Sequence, residues 1–294
     1  MSTSDLYYSL RNRLQSSSIR RAYWAIGNRA TLLSTLREEQ FYRGLLVGLR
    51  RDDLVFDIGA NVGSKTDIFL RLGARVVAVE PDEACQRTLR DRFLRYRLMR
   101  PPVTLIDKAV SDKIGVETMW IDGPGSAVNT MNGQWADHLR DSKGSFPYAN
   151  CGLEFSCSKP IETTTIEHLV GLHGVPFFIK IDVEGHELNV IRSLRQAVPF
   201  LSFEVNLSTF RQEGIECVKA LSQLEPSGRF NYTPDCCSGL VLAEWLGTKE
   251  FYAVLESCSE ETIEVFWRVN CTLTRGERRR SAIRGIGRAS AEEA

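Results

Sequence analysis

The sequence lacks any apolar run near the roughly 20 residues that cross a bilayer, and it does not open with a secretory signal pattern. These absences predict a cytoplasmic protein without a transmembrane segment. The eight cysteines form neither a CxxC pair nor a Cys/His spacing typical of zinc. They are interpreted as reduced thiols, and no metal site is predicted from them.

A net charge is also missing, since 37 lysines and arginines balance 37 aspartates and glutamates. Without a global positive field, binding to nucleic acid is not favoured. The first fifty residues do carry an excess of five positive charges, from eight arginines and three acids. A solvated helix face is the simpler interpretation of this excess, and contact with an anionic partner or surface is the alternative.

With 294 residues, of which 43% are hydrophobic, the chain suits one large α/β domain with additions. Helical spacing with few breakers predicts an N-terminal helical extension over residues 1–50. A binding domain is predicted over 51–270. Residues 271–294 contain an RGERRR run among small and polar residues, which predicts a basic, disordered tail.

Residues 54–80 carry the most informative pattern: a strand ending near an acid, a glycine turn, an amphipathic helix and a second strand ending in an acid. Gly59 and Gly63 bracket the turn, where the backbone can approach a ligand closely. Glu80 follows Asp57 by 23 positions, the separation at which a βαβ unit delivers a carboxylate to a ribose. This unit predicts a binding site for a molecule that contains adenosine.

The turn reads GANVG and lacks the GxGxxG of dinucleotide-binding enzymes, which argues against a pyrophosphate ligand. GANVGSKT falls one residue short of a phosphate loop, so Lys65 and Thr66 leave a nucleotide-dependent enzyme as a weaker alternative. Asp57 would repel a phosphate at this position and suits a positively charged ligand instead. S-adenosylmethionine, which carries a sulfonium and no phosphate, is the predicted cofactor.

A cradle for this cofactor can be assigned along three strand ends. Asp57 is expected near the methionine amino group, Glu80 on the ribose hydroxyls and Asp107 near the adenine. Backbone contacts are expected from Gly59, Ala60, Asn61 and Gly63 in the turn, and from Lys108 and Ala109 after the third strand.

Six segments together resemble the FkbM family of S-adenosylmethionine-dependent methyltransferases: DIGANVG, VVAVEPD, KAVSDKIG, a TTT before a helix, FIKIDVEGHELNVI and LSFEVN. The resemblance runs from about residue 41 to residue 268. It implies a class I methyltransferase fold, a doubly wound, mostly parallel seven-stranded sheet whose last strand is antiparallel. It also implies methyl transfer, usually to a hydroxyl of a sugar, polyketide or similar metabolite, but it does not identify the substrate.

The KIDVEG segment places Lys180 and Asp182 on one face of a predicted central strand. A buried ammonium needs an anion, and either Asp182 or Glu204 could provide it. A structural Lys180–Glu204 ion pair and a role in catalysis both stay open. As general base, Asp182 is the first candidate, followed by Glu184 and then Lys180.

No metal is assigned, although Asp182, Glu204 and Asn206 could hold a divalent ion as a weaker alternative. Residues 125–135 could close over an acceptor or form an ordinary surface loop. The predicted function is O-methylation of a hydroxyl on a small molecule, sugar or glycan. The alternatives are N-methylation and a cofactor-binding partner protein without catalytic activity.

Overall fold

A computed structural model describes residues 29–94, 96, 103–141, 153 and 155–269. Its helices are α1 (Arg29–Leu45), α2 (Ser64–Arg71), α3 (Glu83–Arg92), α4 (Gly133–Asp141), α5 (Ile166–His173), α6 (Glu187–Arg192), α7 (Leu207–Leu224) and α8 (Thr248–Ser257). Its strands are β1 (Leu54–Ile58), β2 (Arg75–Val79), β3 (Val103–Ile106), β4 (Ala109–Val110), β5 (Gly115–Ile121), β6 (Cys157–Thr164), β7 (Phe178–Ile181), β8 (Phe200–Asn206), β9 (Arg229–Thr233) and β10 (Thr262–Arg268).

Seven of the strands form one sheet in the order β3-β2-β1-β7-β8-β10-β9. Neighbours from β3 to β8 are parallel, and β10 is antiparallel to both β8 and β9. This confirms the expected doubly wound sheet whose last strand is antiparallel. Strands β4, β6 and β5 form a second, smaller sheet in that order.

The central strands are buried on both faces, as their continuous apolar sequences predict. On one face, Phe56 and Phe203 belong to a core closed by helices α5 to α8. On the other face, Phe69 of α2 and Phe178 of β7 surround Tyr42 of α1, whose ring centroid lies 5.2 Å from that of Phe69. Helix α1 is therefore part of the core.

Of the predicted N-terminal extension, residues 1–28 lie outside the described part of the chain, and so does the predicted tail. The division of the chain at residues 50 and 270 stays a prediction. Within the described residues, no helix combines the length and the apolar character that a bilayer crossing requires.

The parallel strands bring their carboxyl ends to one edge of the sheet, where doubly wound proteins bind their ligands. The turn after β1, Glu80 after β2 and Asp182 after β7 all lie at this edge. β1 is the neighbour of both β2 and β7, so these three strand ends are adjacent.

Candidate active site

The turn after β1 holds its shape through the backbone. Gly59 has a φ of +81°, and its amide and that of Ala60 both donate to the Val79 carbonyl at 3.0 Å. A Cβ on Gly59 would overlap the carbonyl oxygen of Asp182. Only glycine therefore lets the turn lie directly against the strand end of β7.

Glu80 braces the same turn from the next strand. One carboxylate oxygen accepts a hydrogen bond from the Asn61 amide and the other from the Asp82 amide, both at 2.8 Å. Burial raises the pKa of Glu80 to about 7, against the lowering effect of these two bonds. Each carboxylate oxygen still has room for a second hydrogen bond from a ligand.

A cavity of about 160 Å³ opens between these elements and is called the donor cavity here. Of the predicted cofactor residues, Gly59, Asn61, Glu80 and Ala109 line it. Ile58, Val79, Val110 and Met119 add apolar surface, while Asp182 and Glu184 stand in its wall. Predicted residues Asp57, Ala60, Gly63 and Asp107 do not line it.

Asp57 lies beneath the turn instead of facing the donor cavity. Its side chain is 1% exposed and accepts a hydrogen bond from the Thr66 hydroxyl. Burial raises the pKa of Asp57, while the nearby Lys180 ammonium opposes that rise. In this position Asp57 supports the fold of the turn from below.

Asp107, expected near the adenine, points to solvent. Its side chain is 66% exposed and lies 3.6 Å from the Arg90 guanidinium. Its two successors, Lys108 and Ala109, do line the donor cavity. Gly63 lies at the start of α2, where its amide donates to the Ala60 carbonyl at 2.8 Å.

The phosphate-loop alternative finds no support in this geometry. Lys65 forms an ion pair with Glu38 of α1, and Thr66 donates to Asp57, so both point away from the donor cavity. Lys108 is the only cation among the described lining residues, and its ammonium lies 2.9 Å from the Glu162 carboxylate. Nothing here gathers the positive charge that a polyphosphate needs.

Lys180 is 3% exposed, and its ammonium lies 2.7 Å from the Asp182 carboxylate. Of the two partners considered for Lys180, Asp182 is thus the one within ion-pair distance. Burial opposes ionisation of Asp182, but the Lys180 ammonium outweighs it and lowers the pKa of Asp182. Lys180 itself keeps its proton, because the surrounding carboxylates raise its pKa against the effect of burial.

Glu184 has a different environment only two residues further on. Its backbone has a φ of +56°, and its carbonyl accepts a hydrogen bond from the Thr130 hydroxyl at 2.6 Å. The indole nitrogen of Trp135 donates to its carboxylate at 3.3 Å. Burial, reinforced by the charges of Asp182 and Glu187, raises the pKa of Glu184 to about 8.

A second and larger cavity of about 520 Å³, the acceptor cavity, adjoins the donor cavity. Asp182, Glu184 and Ala127 line both. The acceptor cavity has an aromatic wall, in which the Trp135 and Phe210 ring centroids lie 5.2 Å apart. Its polar lining comes from Asp182, Glu184, Glu187, Glu204, Asn206, Glu213, Glu260, Glu261 and Thr262.

Carboxylate oxygens of Asp182, Glu184 and Glu204 lie within 4.8 Å of one another, close enough to hold a metal ion. Asn206, which the sequence offered as a third ligand, is used differently. Its side-chain oxygen accepts a hydrogen bond from the Thr209 amide at 3.1 Å and caps helix α7. The two ligand sets therefore share Asp182 and Glu204.

The family model described as "Methyltransferase FkbM domain" matches residues 57–225, more than half of the chain. The chain belongs to the FkbM methyltransferase family. Its mostly parallel, seven-stranded sheet is that of class I methyltransferases, and the cofactor consistent with the family is S-adenosylmethionine.

Among curated proteins, the ribosomal RNA small subunit methyltransferase A of Thermotoga petrophila is 44% identical over 50 residues. That match spans 17% of this chain and 19% of the relative's length. Among solved structures, precorrin-6y C5,15-methyltransferase from Geobacter metallireducens is 10% identical with a TM-score of 0.35, covering 81% of this FkbM protein and 87% of that chain. The plantazolicin methyltransferase BpumL, solved with S-adenosylhomocysteine, is 7% identical with a TM-score of 0.40, covering 92% and 100%.

The donor cavity fits S-adenosylmethionine by its chemistry. Glu80 offers a carboxylate to a ribose diol, and Val79, Val110 and Met119 offer apolar surface to an adenine. Asp182, which Lys180 keeps ionised, would supply negative charge at the far wall, which suits the sulfonium and the α-amino group. When bound, the cofactor supplies an electrophilic methyl group.

Several lining residues had no assigned role in the sequence. Trp135 lies in the segment that could have been a lid or a surface loop, and it lines the acceptor cavity and binds Glu184. Asn132 of the same segment donates to the Gly185 carbonyl at 2.6 Å. The polar and aromatic composition of 125–135 was a usable signal, whereas Phe210, which lies at a kink in α7, offered none.

Proposed function

We propose that this FkbM methyltransferase transfers the methyl group to a hydroxyl of a small molecule, sugar or glycan. The observation that carries this proposal is the junction of two cavities at Asp182 and Glu184. A methyl transfer needs its donor and its acceptor on opposite sides of one point, in line with each other. The donor cavity and the acceptor cavity meet at Asp182 and Glu184, which supports such an arrangement.

In this reaction the acceptor oxygen bonds to the methyl carbon while the carbon–sulfur bond of S-adenosylmethionine breaks, leaving neutral S-adenosylhomocysteine. The hydroxyl proton must pass to a base. Glu184 stands at the junction with a pKa raised to about 8, so its carboxylate holds a proton better than an ordinary glutamate does. We assign Glu184 as the proton acceptor.

The sequence ranked Asp182 ahead of Glu184 for this role. Asp182 is held by the Lys180 ammonium at 2.7 Å and its pKa is lowered, which makes it a weaker base. Its assigned role is to orient the acceptor hydroxyl and to add negative charge beside the sulfonium. Lys180 keeps Asp182 ionised and has no direct part in proton transfer.

The carboxylate-rich acceptor cavity also supports a small acceptor over nucleic acid, because phosphates would be repelled there. N-methylation is the second candidate, favoured by the same negative charge. A protein that binds the cofactor without turnover is the third. A cytoplasmic location stays a prediction.

The experiment combines calorimetry with product analysis. The protein is titrated with S-adenosylmethionine, S-adenosylhomocysteine, ATP and NAD, and then incubated with the methyl donor and pools of hydroxylated metabolites. We expect saturable binding of the first two, with products whose new methyl group is on oxygen by NMR. Methyl groups on nitrogen alone would replace the proposal with the second candidate, and donor binding without any product would favour the third.

A further inference from the structure

The lining of the acceptor cavity has a strongly one-sided charge. Among the described residues it contains seven carboxylate side chains and no lysine or arginine: Asp182, Glu184, Glu187, Glu204, Glu213, Glu260 and Glu261. The whole chain is neutral, so this concentration of acid is local. A cavity with this lining repels anionic ligands and gains energy from a cation.

Few cations of the described residues face these acids, and burial raises the pKa of Glu184 to about 8 and that of Glu187 to about 7, so a bound cation would favour their ionised forms. Lys180 neutralises Asp182, and Arg192 lies near enough to lower the pKa of Glu213 against the rise caused by burial. Glu204 shares the charge of Lys180 with Asp182, and Lys180 opposes the rise in the pKa of Glu204 without cancelling it. Burial, then Asp182 and Glu184, raise the pKa of Glu204 well above its ordinary value.

The aromatic wall matches the same kind of ligand. Trp135 and Phe210 line the cavity beside the carboxylates, with Trp135 stacked on His138 at a centroid distance of 5.4 Å. The faces of indole and phenyl rings attract ammonium groups through their negative quadrupole. Aromatic rings next to carboxylates therefore favour an organic cation.

We propose that the acceptor carries a protonated amine next to the hydroxyl that is methylated, and that Glu204 and the Trp135–Phe210 wall bind this ammonium group. The inference rests on the assignment of the larger cavity to the acceptor. It narrows the substrate class to amino alcohols, of which amino sugars are the carbohydrate members.

A divalent metal is the competing occupant, because oxygens of Asp182, Glu184 and Glu204 lie within 4.8 Å of one another. Two contacts favour the ammonium. The Lys180 ammonium already lies at 2.7 Å from Asp182, and the Trp135 indole already donates to Glu184. The lining also contains Glu213, Glu260 and Glu261, which lie outside this group of three carboxylates. A single metal ion would not contact all of them.

The test uses calorimetry and thermal shift on the full chain saturated with S-adenosylhomocysteine at pH 7. The probes are 2-aminoethanol, ethylene glycol, glycolate and magnesium chloride, which are matched in size and differ in charge. We expect 2-aminoethanol to bind at least tenfold more tightly than ethylene glycol, and glycolate to show no binding. Glu204→Gln should remove this preference, whereas Glu216→Gln, on α7 outside the cavity, should keep it.

Equal affinities for 2-aminoethanol and ethylene glycol would overturn the proposal, and so would tighter binding of glycolate. Saturable magnesium binding that is lost in Glu204→Gln, without an ammonium preference, would replace it with a metal site. The binding of S-adenosylhomocysteine is measured in the same samples. Its failure would contradict the donor cavity itself, whereas success there with no ammonium preference would contradict only this inference.

Discussion

The two cavities of this FkbM methyltransferase lie side by side and use opposite means of recognition. The donor cavity is built around the backbone of a glycine turn and the carboxylate of Glu80, which is fixed by two amides. The acceptor cavity is wider and is lined by side chains from distant segments, most of its polar ones acidic. The donor cavity suits a cofactor that is the same in every reaction. The side chains of the acceptor cavity can be substituted without disturbing the donor cavity.

The two acidic residues shared by the cavities show how the halves are joined. Asp182 is ionised and tied to Lys180, whereas Glu184 is buried against an indole and holds its proton more tightly. Two neighbouring carboxyl groups with pKa values pushed apart can serve as an anchor and a base. Variants at and around this junction test the comparison.

The largest effect is expected from Gly59→Ala. Gly59 has a φ of +81°, and an added methyl group would overlap the Asp182 carbonyl, so the turn and β7 must separate. We expect the free energy of unfolding to fall by about 3 kcal/mol or more, with donor binding lost. Urea unfolding and calorimetry measure the two effects.

Gly44→Ala in α1 is the control, since nothing lies within 4 Å of the added methyl group. It should bind the donor normally and be as stable as the wild type or slightly more so. Normal donor affinity in Gly59→Ala would mean that the close contact between the turn and β7 is not needed for the donor cavity.

Glu184→Gln is expected to reduce kcat by about 100-fold or more, the usual scale for loss of a general base. Donor affinity should change little, because the amide keeps the shape of the side chain. Single-turnover kinetics with an identified acceptor would measure this. If Asp182→Asn abolished turnover while Glu184→Gln stayed active, the order given by the sequence would be restored.

Glu80→Ala tests the donor half alone. It removes a carboxylate that holds two amides and lines the cavity, so donor affinity should weaken by about 1 to 3 kcal/mol. Asp107→Ala is its matched control, because Asp107 is exposed and lies outside the lining. Calorimetry measures the affinity of both variants for S-adenosylhomocysteine. If both variants lost the same affinity, Asp107 would belong to the cofactor site.

The donor half was accessible to sequence reasoning because it is local. Its turn, helix and two strand ends fall within residues 54–80. Residues this close in sequence are also close in the fold, so the glycines and the spacing of the strand ends predict which residues meet. Spacing alone could not tell that Asp57 points beneath the turn and Asp107 toward solvent. Asp57 is the penultimate residue of β1 and Asp107 follows β3, and the direction of each side chain depends on strand pairing and on partners such as Thr66 and Arg90.

The acceptor half could not be predicted in the same way, because its lining comes from residues 127–139, 153, 182–187, 204–217, 234 and 260–262. Trp135 meets Glu184 across 49 positions of the chain. No local pattern predicts such a contact. The resemblance to the family predicted the topology of the sheet. That topology brings these distant segments together.

The smallest effect is expected from Trp135→Phe, which keeps an aromatic ring and removes one hydrogen bond to the Glu184 carboxylate. That bond favours the ionised form and lowers the pKa of Glu184 against its larger rise from burial. Losing it should raise the pKa further, so the rising limb of the kcat/KM profile should move to higher pH. A bond worth about 1 kcal/mol moves this midpoint by less than one pH unit. A purely structural role for Trp135 would lower activity equally at all pH values, and a profile of unchanged shape would remove the indole from the tuning of Glu184.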